Sequence, residues 1–196
     1  MVNNAVVDHA MVAIEDVELD DWESTIHCHM TAPLLFCKEV IPSMIAQGSG
    51  SIINVSSHLA LVGSGSISAY GPAKAGMINF TKTIAVTYGP HGIRANSLTP
   101  ARMITEKKQD MLDGNPSQTR KQSRVYPLGS PALPEQVADA MLFLASDESS
   151  AVTGHNLVAD RGATAQCPVS VPVDRSEAHV RAVLEAQGSG WIEEET

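Results

Sequence analysis

Ser51-Ile52-Ile53-Asn54-Val55-Ser56 is a short extended run, and a helical pattern from about Ser68 to Tyr88 follows it. A second such run, Ile93-Arg94-Ala95-Asn96-Ser97-Leu98, precedes another helical stretch, and a weaker one, Asn156-Leu157-Val158-Ala159, closes the series. Strands alternating with helices mark βαβ units, so the pattern predicts an α/β fold around a parallel sheet. A further helix is expected from about Thr31 to Gln47, where Leu34, Leu35, Phe36, Ile41, Met44 and Ile45 recur at helical spacing. Gly48 and Gly89 are expected to end two of these helices as C-cap residues. Pro72 falls near the start of the second, where a missing backbone N–H is tolerated. Pro134-Glu135 opens a helix to Ala145 that carries Val137, Met141, Leu142 and Leu144.

Working outward, the 196 residues suit one domain, and 43% apolar with 18% charged residues is globular composition. Thirteen Lys plus Arg against 22 Asp plus Glu leave a net charge of −9, which repels phosphate backbones and anionic membranes. Neither nucleic acid nor a membrane is an expected partner. No apolar run approaches the length of a spanning helix, and Met1-Val2-Asn3-Asn4 lacks the basic flank of a signal peptide, so a soluble cytoplasmic protein is expected. Cys28, Cys37 and Cys167 form no Cys-x-x-Cys pair and read as buried small hydrophobes.

Residues 101–133 hold Met103, Met111, Leu112 and Tyr126 among polar residues and are broken by Gly114-Asn115-Pro116; this segment reads as a substrate lid. The two methionines suit either core filling or an adaptable contact with substrate. Residues 1–163 then form the domain, and 164–196 a C-terminal extension with one short helix, Ser176 to Gln187.

Tyr70 and Lys74 stand four residues apart on one helix, so both project from the same face. A cation beside a phenol favours the phenolate, which makes the Tyr70 proton easier to exchange. Two serines, Ser56 and Ser57, end the preceding strand, with Ser57 thirteen residues before Tyr70. His27, Cys28 and His29 do not suggest a metal site, because residues two apart on a helix point roughly 200° away from each other.

At this point the sequence resembles the short-chain dehydrogenase/reductase family. The matching pieces run in order: Asn3-Asn4-Ala5, Asp21-Trp22, Gly50 to Ser57, Tyr70 to Lys74, and Gly92-Ile93-Arg94-Ala95-Asn96. They continue with Pro100 to Thr105, Phe143 to Asp147, Val152-Thr153-Gly154, Asp160 and Gly162, covering about residues 1 to 163. The resemblance implies a partial doubly wound Rossmann-type sheet of about four strands flanked by helices. It also implies hydride transfer between NAD or NADP and a small-molecule alcohol or ketone. Tyr70 would exchange the proton of the substrate oxygen, Ser57 would hold that oxygen, and Lys74 would lower the Tyr70 pKa while contacting the cofactor ribose. Asn3 and Ala5 would line the cofactor cleft, and Pro100, Ala101 and Thr105 would sit by the nicotinamide and its phosphates. A homodimer or homotetramer is implied too, built on helices whose apolar residues, among them Phe36, Met44, Met77 and Phe80, exceed one buried face.

Four departures stand out. The sequence begins at the Asn-Asn-Ala motif and contains no Thr-Gly-x-x-x-Gly-x-Gly turn to cradle a pyrophosphate, so a truncated form with weak cofactor binding is expected. His29 occupies the place, seven after Trp22, where the family has a relay asparagine, and it is either a packed helix histidine or part of that relay. Val6 and Ala101 replace glycines, and Arg161 replaces the first glycine of Asp-Gly-Gly. The alternatives to an oxidoreductase are a non-catalytic, self-associating scaffold and an incomplete gene product.

Overall fold

The computed structural model describes residues 1–7, 12–65, 69–104 and 125–166. The chain divides into two compact units, Met1–Gln166 and Cys167–Thr196, and every described residue lies in the first. Thr105, Met111, Cys167, most of the expected lid and the helix expected at Ser176 lie outside the described residues.

Four parallel strands, β1 (Val2–Asn3), β2 (Gly50–Val55), β3 (Ile93–Pro100) and β4 (Asn156–Ala159), pair in chain order. Helices α1 (Leu19–Ile26) and α2 (Ala32–Gln47) connect β1 to β2, α3 (Tyr70–Tyr88) connects β2 to β3, and α4 (Pro134–Ala145) precedes β4. This is the α/β sheet flanked by helices that the alternating pattern predicts.

The side-chain alternation of β2 and β3 explains the layers. Ile52 and Ala95 face Cys37 and Ile41 of α2 and Ile84 and Ala85 of α3. Ile53 and Leu98 face Val137 and Leu144 of α4 on the other side. With both faces covered, β2 and β3 carry apolar residues on either side and bury Asn54, Asn96, Ser97 and Thr99 among them. The same arrangement gives the last crossover the opposite hand to the first two, because α4 lies on the opposite face while the strand order keeps advancing.

Polar groups stitch the layers where apolar contact is absent. Asn3 Nδ2 donates to Asn54 Oδ1 at 2.7 Å, Asn54 Nδ2 to Thr81 Oγ1 at 2.8 Å, and Thr81 Oγ1 to the Met77 carbonyl at 2.8 Å, linking β1, β2 and α3 through buried side chains. Arg94 donates to the Leu144 and Ser146 carbonyls, each at 3.0 Å, where unpaired C=O groups and the negative dipole end of α4 favour a cation.

Several expectations are corrected. Helix α2 keeps its expected span to within one residue but is not a separate element, because α1 runs into it through a π-helical turn at His27–Thr31. Gly48 and Gly89 do stand at the C-caps of α2 and α3, but only Gly48 is left-handed, whereas Gly89 is right-handed and leads into a 3-10 turn. The reversal after α3 falls at Gly92 (φ 75°), where a Cβ would stand 2.3 Å from the Gly48 carbonyl oxygen. Met77 is buried within the chain, and Met44 and Phe80 pack against its core, so of the four apolar residues expected to exceed one buried face only Phe36 is exposed. Cys37 is buried as expected, while Cys28 is only half-buried.

Candidate functional site

The site lies where β2 ends and α3 begins. Ser57, two residues beyond the end of β2, caps a 3-10 turn at His58–Ala60, its Oγ accepting from the Leu59 N–H at 3.3 Å. Ser56 Oγ donates to the Lys74 carbonyl at 2.8 Å, which fixes the first turns of α3 to the strand end. Gly71 permits the close approach, since a Cβ there would meet the Leu59 carbonyl oxygen at 3.0 Å. These contacts bring Ser57, Tyr70 and Lys74, separated along the sequence, to one cleft of about 430 Å³. Ala5, Pro100, Ala101 and Met103 line it as well. Met103 is therefore a cleft residue rather than core filling.

Lys74 is 4% exposed, and no carboxylate is paired with it among the described residues. Burial pushes its pKa down to about 8, partly opposed by the Cys28 thiol. Its Nζ donates to the Val55 carbonyl at 2.7 Å and lies 5.6 Å from the centre of the Tyr70 ring. An ammonium has three N–H donors, and Val55 takes one. The others suit hydroxyl acceptors such as those of a ribose.

Burial raises the Tyr70 phenol above its ordinary value, and a hydrogen bond with the Ser57 side chain opposes that rise. Lys74 is not among the groups that set this direction, its ammonium being turned to the strand carbonyl.

His29, in the π turn, is 1% exposed and packs edge-on against the Tyr70 ring at 5.2 Å between centroids. It reaches Tyr70 from behind rather than from the cleft. Asn3 lies in an adjoining cavity of about 270 Å³ with Ala5, Cys28, His29 and Lys74, its amide nitrogen committed to Asn54. Lys74 and Ala5 thus border both spaces. Pro100 and Ala101 end β3 on the cleft wall.

Two further residues with ionisable side chains line the cleft without having been singled out in the sequence, His58 and Arg102. Adjacency to Ser57 and to Ala101 was the available signal. Asp160 does not enter the cleft: despite burial, hydrogen bonds from Thr164 and Gly162 hold its carboxyl below the ordinary value and shape the turn after β4. At that turn Arg161 adopts φ 55°, its guanidinium donating to the Leu128 carbonyl at 2.7 Å and to Gln136 Oε1 at 3.1 Å.

Comparison with known proteins places this geometry. A family profile described as enoyl-(acyl carrier protein) reductase matches residues 1–164. Trans-4-hydroxycyclohexanecarboxylate dehydrogenase of Sinomonas cyclohexanicum is 41% identical over 165 residues, covering 84% of this chain and 60% of its own. The 3-oxoacyl-(acyl-carrier-protein) reductase of Chlamydia pneumoniae is 40% identical over 164 residues, covering 84% of this chain and 64% of its own. A gluconate 5-dehydrogenase from Burkholderia cenocepacia, crystallised with NADP and tartrate, superposes with a TM-score of 0.75 at 28% identity over 85% of this chain and 64% of that one. The chain spans about 60–65% of the length of these relatives. With strand order, cleft and profile in agreement over the first 164 residues, the chain belongs to the short-chain dehydrogenase/reductase family.

Proposed function

We propose that this protein interconverts an alcohol and a ketone with a nicotinamide cofactor, Tyr70 serving as the acid/base. The observation that carries the reading is the convergence of the Ser57 hydroxyl, the Tyr70 phenol and the buried Lys74 ammonium on one cleft. NAD or NADP would supply the hydride acceptor or donor. In the reductive direction Ser57 would hold the substrate oxygen and the Tyr70 phenol would give it a proton as hydride reaches the carbon, the Lys74 ammonium offsetting the charge left on the phenolate; oxidation runs the same steps backward from the phenolate. Lys74 would also donate to the ribose, while Asn3, Ala5, Pro100 and Ala101 would border the cofactor; Thr105, the other residue expected there, lies outside the described residues. His29 supports Tyr70 from behind and takes the relay position.

Cofactor affinity of the 196 residues is expected to be weak, since no glycine-rich phosphate turn occurs in them and a net charge of −9 adds no attraction. Saturable nicotinamide binding below millimolar concentration by calorimetry would overturn that expectation. The second reading, a non-catalytic homo-oligomeric scaffold, is favoured by the exposed Leu34, Leu35 and Phe36 on α2. One experiment separates the two: turnover of secondary alcohols at saturating cofactor, compared with Tyr70→Phe. The enzyme reading requires a fall of roughly 10²- to 10⁴-fold with the fold retained by circular dichroism. Equal rates in the two proteins would leave the scaffold reading.

A further inference from the structure

Arg102 stands on the cleft wall with its backbone fixed on both sides. Pro100 ends β3 and Ala101 is buried; just beyond, Met103 bridges Ala132, and the Ile104 N–H donates to the Ala132 carbonyl at 3.1 Å. The Arg102 side chain is exposed and lines the same space as Ser57 and Tyr70. Among the described residues it pairs with no carboxylate and donates no hydrogen bond, so its guanidinium N–H groups are open to a ligand.

The ionisable groups lining the cleft among the described residues are His58, Tyr70, Lys74 and Arg102, with no Asp or Glu. Burial holds the His58 ring and the Tyr70 phenol towards their neutral forms. Lys74 is committed to the Val55 carbonyl. The charge of Arg102 reaches the Tyr126 phenol, which burial also keeps neutral, so nothing there compensates it. Asp160, whose field reaches His58 and Tyr126, lies outside the cleft with its oxygens accepting from Gly162 and Thr164. Two other depressions of the surface carry acids instead, Glu15 in one and Asp20 and Glu23 in the other. In a chain of net charge −9, a cleft with two cations and no acid reverses the local field and favours an anion.

A guanidinium presents parallel N–H groups that a carboxylate accepts two at a time, and such charge-assisted bonds are stronger than neutral ones. A carboxamide offers one neutral acceptor. At about 430 Å³ the cleft has the size of a small-molecule site, so Arg102 and the Ser57–Tyr70 pair address two ends of one substrate. We propose that Arg102 is a specificity-determining residue that pairs with a carboxylate on the substrate, which makes hydroxycarboxylates and the corresponding oxocarboxylates the substrate class. The inference rests on the alcohol–ketone reading above, since Ser57 and Tyr70 must hold the reacting oxygen. A cofactor phosphate is the other anion of matching chemistry, and the test separates the two.

The full chain, labelled with ¹⁵N-arginine, is titrated with 2-hydroxybutyrate, 3-hydroxybutyrate and 4-hydroxypentanoate, which space hydroxyl and carboxylate progressively further apart, each beside its carboxamide. The Arg102 Nε signal, identified by its loss in Arg102→Gln, is expected to shift saturably with at least one acid and less than a tenth as far with its carboxamide at equal concentration. In turnover at saturating cofactor, the acid-to-carboxamide ratio of kcat/KM is expected to fall at least about tenfold in Arg102→Gln and to be partly kept in Arg102→Lys. No saturable shift with any of the acids, a comparable shift with the carboxamide, or an unchanged ratio in Arg102→Gln overturns the proposal. A shift produced by NADH or NADPH and by none of the acids overturns it too, and assigns Arg102 to a cofactor phosphate. An acid-specific shift accompanied by normal turnover in Tyr70→Phe supports the recognition by Arg102 and defeats only the catalytic reading.

Discussion

The imidazole of His29 meets the ring of Tyr70 edge-on, with centroids 5.2 Å apart and planes at 83°. Such a contact directs the positive edge of one ring at the other's π-face and fixes the phenol's direction. The π turn supplies the placement, since one extra residue in the helix rotates the downstream turns by about 100°. His29→Leu should keep most of the packed volume, costing less than about 1.5 kcal/mol in urea unfolding. Its kcat should nevertheless fall on the order of 10- to 100-fold, and His29→Asn should recover most of it. Equal kcat in the leucine variant and the parent would reduce His29 to a packing residue.

Lys74 predicts a pH dependence of stability. The unfolded chain holds its proton up to the ordinary value of 10.5, whereas the folded chain releases it near 8. Below pH 8 both states are protonated and the cost of burying the charge is fully present. Between 8 and 10.5 the unfolded state binds more protons, so this group's contribution makes stability rise with pH, by about 3 kcal/mol across the window. Lys74→Met should remove that rise and stabilise the fold at pH 7 by about 1–3 kcal/mol. The comparison is read as parent minus variant, because the Cys37 thiol, pushed by burial up to about 11 from 9.0, titrates with the opposite sign. Parallel urea-derived stability curves for the two proteins from pH 7 to 10 would contradict the assignment.

Arg161 sets a strained backbone against two hydrogen bonds. At φ 55° a side chain costs roughly 1–2 kcal/mol relative to glycine, and the bonds to Leu128 and Gln136 offset part of it. Arg161→Ala loses the bonds and keeps the strain, while Arg161→Gly loses both. The glycine variant is therefore expected to be the more stable of the two by about 1 kcal/mol in chemical denaturation. The reverse order would place the strain elsewhere.

Leu34, Leu35 and Phe36 are 49%, 49% and 58% exposed in consecutive positions on α2. If this face joins copies of the chain, Phe36→Glu should raise the dissociation constant of the homo-oligomer at least about tenfold, read by light scattering across micromolar concentrations. A monomeric parent protein at those concentrations would remove the basis for self-association through α2.

The sequence alone determined the alternation of β2, β3 and β4 with helices, and α4 to its terminal residues, because strands covered on both faces and a proline-opened amphipathic helix leave local, periodic signals. It also located Ser57, Tyr70 and Lys74 through motifs in collinear order. Tertiary structure decided the rest. Gly92 rather than Gly89 reverses the chain because its Cα faces the carbonyl of Gly48, more than forty residues earlier. Met77 went inside because α3 turns that face to the core, and β1, two residues long, exists only through pairing with β2. The direction of the Tyr70 shift reversed for the same kind of reason: helix spacing shows that a cation is near, but only folding shows that burial of the phenol sets the direction and that Val55 holds the ammonium. His58 became a cleft residue only when the Ser57 cap bent the chain, since a solitary histidine carries no periodic signal and acquires its chemistry from distant neighbours such as Pro100 and Asp160.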